Sequence, residues 1–233
     1  DNTVETSTSL VVATQKHVSM GFFSSELTLS LDDFSSRYLK PAMSVLASTI
    51  SSDLCVAMQG AFVNYVGTPG TTPSSFLTYS QAGERLDWQT APRDGNRTVI
   101  LNPTAMAATV DAQKGLFHAG PRIADQYETG VMEAMTGFDF VMDQSINTLT
   151  AGARNTSYTT HGTEATVHTN GTATLTLIAG ANAMVVGDQF TIANVFEVNP
   201  DTKQSTGQLK VFTVAVAYAG GAGSITVSQT LYY

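Results

Sequence analysis

Two pairs of acidic residues are the side chains of this sequence best suited to acid–base or cation chemistry. Asp32 and Asp33 are adjacent and could form an acid pair. They stand at the start of a helical pattern, where carboxylates cap free N–H groups, and we predict that capping role. Asp139 and Asp143 flank a strand-like run and could bind a cation. Solvated strand ends carry the same residues, so we predict that structural role here.

The histidines and the single cysteine do not form a recognisable site. His161 and His168 are separated by six residues, and a solvated strand or loop explains them better than a metal site does. His17 and His118 stand alone. Cys55 cannot form an intrachain disulfide, and its place beside an apolar helical stripe predicts a small buried hydrophobe.

The motifs of common enzyme and cofactor sites are missing from the sequence. It has no phosphate loop, dinucleotide fingerprint, paired-cysteine zinc motif or Gly-x-Ser-x-Gly elbow. Glycosylation sequons begin at Asn96, Asn155 and Asn170, as expected by chance in a threonine-rich chain. We therefore predict that the chain is not an enzyme and has no catalytic, cofactor-binding or metal-binding residues.

Composition limits the classes of partner. Only 13% of the 233 residues are charged, which is about half the usual fraction, so much of the polar surface is neutral and easily desolvated. The net charge of −8 and the 11 scattered basic residues argue against direct nucleic-acid binding. No apolar run reaches the roughly 20 residues that cross a bilayer, so we predict no membrane partner.

One long helix is the strongest local pattern in the sequence. From Leu31 to Val66 an apolar stripe recurs every fourth residue, and Gly67 with Pro69 is predicted to end the helix. Pro41 is tolerated near a helix start, so we expect a short turn over residues 34–39 and then the main helix, on the order of 40 Å long. The stripe consists of Leu46, Ile50, Leu54, Met58 and Phe62.

The segments around this helix predict an α+β protein. Before it, period-two alternation predicts an arm in which Val4–Val12 pairs with Lys16–Phe23. After it, we predict helices at Ser74–Trp88 and Pro103–Val110, the second capped by Asn102, and a loop over 114–121 that leads to a further segment at Ala124–Met135. Strands are predicted at Thr98–Leu101 and around Phe138, Phe140 and Val141.

From residue 151 onward the helical periodicity disappears and five or six short strands are predicted. Asn170 and Gly171 form a hairpin signal between Ala165–Thr169 and Ala173–Ile178. After a turn at Gly187 and Asp188, the next strand carries the apolar residues Phe190, Ile192, Phe196 and Val198. This pattern is typical of a compact sandwich or small barrel, with a domain boundary near residues 150–155.

The order of these segments resembles the major capsid (coat) proteins of tailed double-stranded DNA bacteriophages. The similar type carries an inserted β domain, as in the coat protein of Salmonella podoviruses. None of the matching motifs is catalytic, but their order and spacing are specific. They are Gln15–Phe22, Glu26–Phe34, Arg37, Tyr38, Lys40–Met43, Gly67–Pro73, Asn102 with Pro103, Lys114–Phe117, Gly187, Asp188 and Phe190–Ile192.

The resemblance implies a tailed-phage capsid fold and a structural role. It implies an extended β arm (E-loop) and spine helix of the peripheral domain over residues 1–66. An incomplete α/β central (axial) domain would follow over 67–150, and an immunoglobulin-like or barrel insertion domain over 151–233. The subunit would be made in the bacterial host cytoplasm and would self-assemble through pentamers and hexamers into an icosahedral virion shell. Scaffolding and portal proteins are implied partners, and the genome is enclosed without sequence-specific binding.

Two further expectations accompany this interpretation. Family members return after the inserted domain to complete the other domains, whereas this sequence ends at Tyr233, so we expect a fragment of a longer protein. The alternative function is an immunoglobulin-like binding module of a phage tail or adhesin, since fold does not fix function.

Overall fold

A computed structural model describes residues 12, 14–21, 23–24, 31–68, 70–113, 125–126, 128–153, 158–160 and 171–231. These residues are a mixture of helix and strand, in agreement with the predicted α+β class. The chain separates into two compact units, Asp1–Leu54 and Cys55–Tyr233. The domain boundaries predicted near residues 66 and 150 stay predictions.

The predicted long helix is present and contains one wide turn near its start. Helix α1 (Leu31–Phe34) leads through a π-helical turn (Ser35–Leu39) into α2 (Lys40–Met58). In the wide turn the Lys40 N–H donates to the carbonyl of Ser35, five residues back. Pro41 has no N–H to donate and its ring would clash with a carbonyl four residues back, so a wider turn at this point keeps the helix continuous.

The helix ends earlier than the sequence pattern predicted. A 3₁₀ turn (Gln59–Ala61) follows α2, and Phe62 has an extended backbone, so the prediction of a helix to Val66 with Phe62 in the stripe is wrong. The carbonyl of Phe62 accepts a hydrogen bond from the Thr213 hydroxyl, and that of Val63 accepts one from the Gln229 side chain at 3.3 Å. These bonds to later strands replace helical partners, and local periodicity cannot indicate them.

No residue of α2 is buried, so the prediction that Cys55 is a buried hydrophobe is wrong. Ile50 is 52% exposed and Leu54 is 59% exposed, and Cys55 is only half-buried. The helical stretch Ser35–Ala61 has a mean hydropathy of 1.3 in its most apolar window. By length and composition it could cross a membrane, which corrects the expectation that no such stretch exists. The expectation was based on uninterrupted apolar runs, whereas serines interrupt the apolar residues of this helical stretch.

A strand–helix–strand unit follows, as predicted. Helix α3 (Phe76–Trp88) precedes strand β1 (Thr98–Leu101), and helix α4 (Pro103–Gln113) connects β1 to β2 (Asp139–Met142). The two strands pair in parallel, with Thr98 opposite Asp139. They share one buried core with the two helices, consisting of Tyr79, Leu101, Ala105, Met106, Met132, Phe138 and Phe140.

Asn102 begins α4 in the way the sequence indicated, and this gives a test of the local fold. Its Oδ1 accepts the N–H of Ala105 at 2.8 Å, and Pro103 occupies the first helical position. Asn102→Ala should therefore destabilise the protein by about 1 kcal/mol, measured as a lower midpoint of urea unfolding. Asn96→Ala, in a nearby turn, serves as the control, and an equal loss in both variants would contradict the capping role.

Two further segments of the sequence are described in part. In the segment Ala124–Met135, the described residues are helical only up to residue 129, because Gly130 adopts a left-handed φ of 67° and residues 131–134 are irregular. In the predicted arm, residues 1–11 lie outside the described residues. Residues 14–21 are described and form no strand with any other described residue, so the predicted pairing with Val4–Val12 stays a prediction.

The β region contains five described strands. They are β3 (Thr159–Thr160), β4 (Thr172–Ala179), β5 (Gln189–Val198), β6 (Ser205–Thr213) and β7 (Gly223–Leu231). The strand order is β3-β4-β7 in one antiparallel sheet, and β5 and β6 pair in a hairpin. The predicted partner strand Ala165–Thr169 lies outside the described residues. The core of this region consists of Leu175, Leu177, Met184, Val214, Tyr218 and Ile225.

Candidate interaction surface

The β5–β6 hairpin reverses its two faces halfway along its length. Phe190 and Ile192 pack against the core of the β region. Asn194 then adopts a left-handed φ of 64°, and the pairing register shifts between Thr191 and Phe196. Such a bulge adds residues to one strand and exchanges the faces beyond it.

Beyond the bulge, the apolar side chains of β5 are exposed. Phe196 and Val198 are 46% and 50% exposed, whereas Glu197 between them is only 1% exposed. The second half of β5 therefore buries its polar side chain and exposes its apolar ones. The hairpin has a buried polar face and an exposed apolar face, the reverse of the usual arrangement in a half-buried sheet.

The buried polar face contacts helix α3 through what we term the inner polar cluster, formed by Arg85, Glu197, Gln208 and Lys210. The Arg85 guanidinium donates to Glu197 Oε2 at 2.7 Å and to Gln208 Oε1 at 2.5 Å. Lys210 Nζ lies 3.5 Å from the other carboxylate oxygen of Glu197. Both members of the Arg85–Glu197 pair are largely withdrawn from water, so the pair is sensitive to loss of either partner.

Further hydrogen bonds extend this contact along α3. Gln208 Nε2 donates to Glu84 Oε1 at 3.0 Å, and the Asn199 side chain donates to the carbonyl of Trp88 at 3.1 Å. The bonds involve Glu84, Arg85 and Trp88 of α3, and on the hairpin side they include residues from both strands. They therefore fix which face of the hairpin points away from α3.

The face that points away from α3 is neutral and largely apolar. Phe196 pairs with Leu209, which is 37% exposed, and Val198 pairs with Ser205. We term this the outer hairpin face, and it consists of Phe196, Val198, Ser205, Gly207 and Leu209. None of its residues is charged, in a chain with a net charge of −8. A neutral apolar face is less costly to desolvate than a charged one, as subunit contacts require.

Helix α2 presents a second and larger apolar surface. Several of its large hydrophobic side chains are more than half exposed, although a soluble domain normally buries one face of such a helix. Met43, Ile50 and Leu54 form what we term the apolar face of α2, and Val45 and Val56 are exposed on the opposite side of the helix. The only ion pair that the described residues show on α2 joins Lys16 to Asp53 at 2.7 Å, and it leaves the apolar face uncovered.

An exposed ionic cluster follows α3 and gives a pH-dependent prediction. Asp87 accepts hydrogen bonds from Arg93 and, at 2.9 Å, from Arg97, and these bonds lower the pKa of Asp87 to about 2 from its usual 3.8. Because the folded-state pKa is lowered, this stabilisation is complete above about pH 4 and is lost as the pH falls through 2.

Asp87→Asn should therefore lower the urea midpoint at pH 7 and lower it much less near pH 2, where about half of the Asp87 side chains are already protonated in the folded parent. Asp94→Asn provides a neighbouring carboxylate control. The same loss at both pH values would show that the charge of Asp87 is not responsible.

The residues first considered for chemistry occupy separate places. Asp32 and Asp33 lie within the described helix α1, so they are first-turn residues and do not precede the helix as caps. Asp139 begins β2, and Asp143 Oδ1 accepts the Ser145 N–H at 2.7 Å in a turn. His17 is exposed, while His118, His161 and His168 lie outside the described residues. Within the described ranges no three His, Cys, Asp or Glu residues are grouped to hold a metal ion.

Sequence reasoning did not identify the inner polar cluster. Arg85 and Glu197 are 112 residues apart, and neither belongs to a recognisable motif. Asn194 in the middle of an apolar strand was the available signal, because asparagine tolerates the left-handed conformation that a bulge requires.

A comparison with protein families gives one match that spans nearly the whole chain. The matching family is described as P22 coat protein, gene protein 5, and its model covers residues 1–231. No curated protein matches the chain. The match includes both the helical and the β regions, so it bears on the chain as a whole.

Proposed function

Since this chain belongs to the P22 coat protein family and is a phage major capsid subunit that self-assembles into the head, we propose that the exposed face of α2 is its principal contact surface. The observation that supports this proposal is a helix of 19 residues with none buried. Its apolar face has no cover within the described chain. Burial of such a surface against neighbouring coat-protein segments would supply the apolar contact area that a stable assembly needs.

The finer organisation is part of the same proposal. Residues 1–66 would form the extended arm and spine helix, 67–150 the central domain, and 151–233 an inserted β domain. The subunits would form pentamers and hexamers of a closed icosahedral shell. The separate hydrophobic cores of the strand–helix–strand unit and the β region support a division near residue 150.

The acidic composition of the chain also favours a shell that encloses DNA without binding it tightly. A net charge of −8 repels phosphate, so we propose that the double-stranded genome is held by enclosure and not by sequence-specific contacts. Scaffolding and portal proteins would be further partners, and the subunit would be made in the host cytoplasm. The family is structural, and we propose no enzymatic activity.

The alternative of an immunoglobulin-like binding module from a phage tail or adhesin is not favoured. The family match covers the helical region as well as the β region, whereas a binding module would account for the β region alone.

The direct test is expression of the coat protein with and without its neighbouring phage genes, followed by sedimentation velocity and negative-stain electron microscopy. We expect closed shells of uniform diameter when the neighbouring genes are present. We expect irregular assemblies or rings of five or six subunits when they are absent. A subunit that stays monomeric under every condition would contradict the proposal.

A further inference from the structure

We infer that the outer hairpin face is a second contact surface, which binds another copy of this chain inside the assembled shell. This inference rests on the proposed function and adds a second site to it. Its basis is the reversed hairpin: Glu197 is buried against Arg85, while Phe196 and Val198 on the same strand are exposed.

The reversed hairpin costs free energy in the isolated subunit. A left-handed asparagine is disfavoured relative to glycine, and the bulge places a carboxylate in a nearly dry position that needs Arg85 and Lys210 around it. An alternation without the bulge would have buried Phe196 and exposed Glu197, which is the usual solution for a lone subunit. The reversed arrangement is favourable only when another molecule covers the exposed apolar face.

Contact area identifies the class of occupant. The three apolar side chains of the face, Phe196, Val198 and Leu209, expose on the order of 200 Å² together, far below the roughly 800 Å² per partner of a stable pairwise complex. A free partner would bind this face too weakly to remain bound. A second copy that other shell contacts already hold in place has a high effective concentration, so even a small apolar contact is occupied.

Charge favours the same occupant. Copies of a chain with a net charge of −8 repel one another, and the repulsion is smallest where they meet through neutral surfaces. The outer hairpin face has no charged residue, and the inner polar cluster keeps Glu197 and Lys210 on the opposite side of the sheet.

Thiol labelling tests this inference in the coat protein itself. Cys55 is the only cysteine, so Cys55→Ala gives a background in which Phe196→Cys is the single thiol. The control is Val216→Cys, at a residue that is 57% exposed and lies between β6 and β7, away from the face. Maleimide labelling rates are measured for free subunits and for assembled shells.

We expect the labelling of Phe196→Cys to be about tenfold slower in shells, and that of Val216→Cys to change by less than about twofold, because thiol reactivity follows exposure. Folded Phe196→Cys subunits that fail to assemble, while Val216→Cys subunits assemble, would also support the contact. Equal labelling of Phe196→Cys in shells and free subunits would overturn this inference and leave the proposed function intact. Failure of the Cys55→Ala parent to form shells in any condition would contradict both.

Discussion

Ile50→Asp is expected to leave the subunit folded and to reduce the yield of closed shells by about tenfold or more. Ile50 is 52% exposed in the middle of the apolar face of α2, so its replacement removes little packing within the subunit. In a shell contact the new carboxylate would be desolvated without a partner, which costs about 2 kcal/mol or more, and about 1.4 kcal/mol is a factor of ten.

The matched control for this prediction is Ser48→Asp. Ser48 is also exposed on α2 and lies two residues before Ile50, which places it on the opposite side of the helix. It introduces the same charge on the side of the helix opposite Met43, Ile50 and Leu54. Shell yield is measured by sedimentation and subunit folding by circular dichroism. If both variants assembled as well as the parent, the apolar face of α2 would not be a contact surface.

Arg85→Met is expected to destabilise the folded subunit by about 3 kcal/mol, the largest stability effect we anticipate for a single side chain outside the cores. The substitution leaves Glu197, 1% exposed, with only the more distant Lys210 as a cationic neighbour among the described residues. An uncompensated carboxylate in such a position costs several times more than a lost surface ion pair. Urea unfolding can be followed by the fluorescence of Trp88, the only tryptophan, on the same helix.

Two variants separate the buried pair from general effects of removing an arginine. Arg93→Met removes an exposed arginine, 73% exposed at its side chain, and should lower the urea midpoint far less than Arg85→Met does, because exposed ion pairs are screened by water. The double variant Arg85→Met with Glu197→Leu removes both charges and should recover most of the loss, because well-packed apolar pairs replace buried ion pairs without penalty. Equal losses for Arg85→Met and Arg93→Met would show that the inner polar cluster does not hold the hairpin.

The sequence predicted most of the helices and strands correctly, because the residues that determine them are neighbours in the chain. The turn at Asn102 and Pro103 is determined by neighbouring residues, and the structure confirms the cap and the helix. The short apolar run Thr98–Leu101 is likewise a strand, because its β-branched residues favour one. The predicted end of the helix was wrong because the carbonyls of Phe62 and Val63 accept hydrogen bonds from strands more than 150 residues away.

The candidate surfaces could not be predicted from sequence periodicity, because periodicity does not show which residues the rest of the chain covers. The periodicity of α2 identified an apolar face but not whether the chain itself covers it. The face reversal of β5 depends on the conformation of the single residue Asn194, and one bulge exchanges every side chain that follows. The polar partner on α3 is remote in sequence, so the inner polar cluster could be seen only once the two elements were placed together.

The measurement that tests the central claim most directly is a cryo-electron microscopy map of the assembled shell in which α2 can be traced. The proposed function requires that Ile50 and Leu54 lie against apolar side chains of neighbouring coat-protein segments, with water excluded between them. A map in which this face of α2 is open to solvent in every subunit would contradict the account, even if the shell itself were intact.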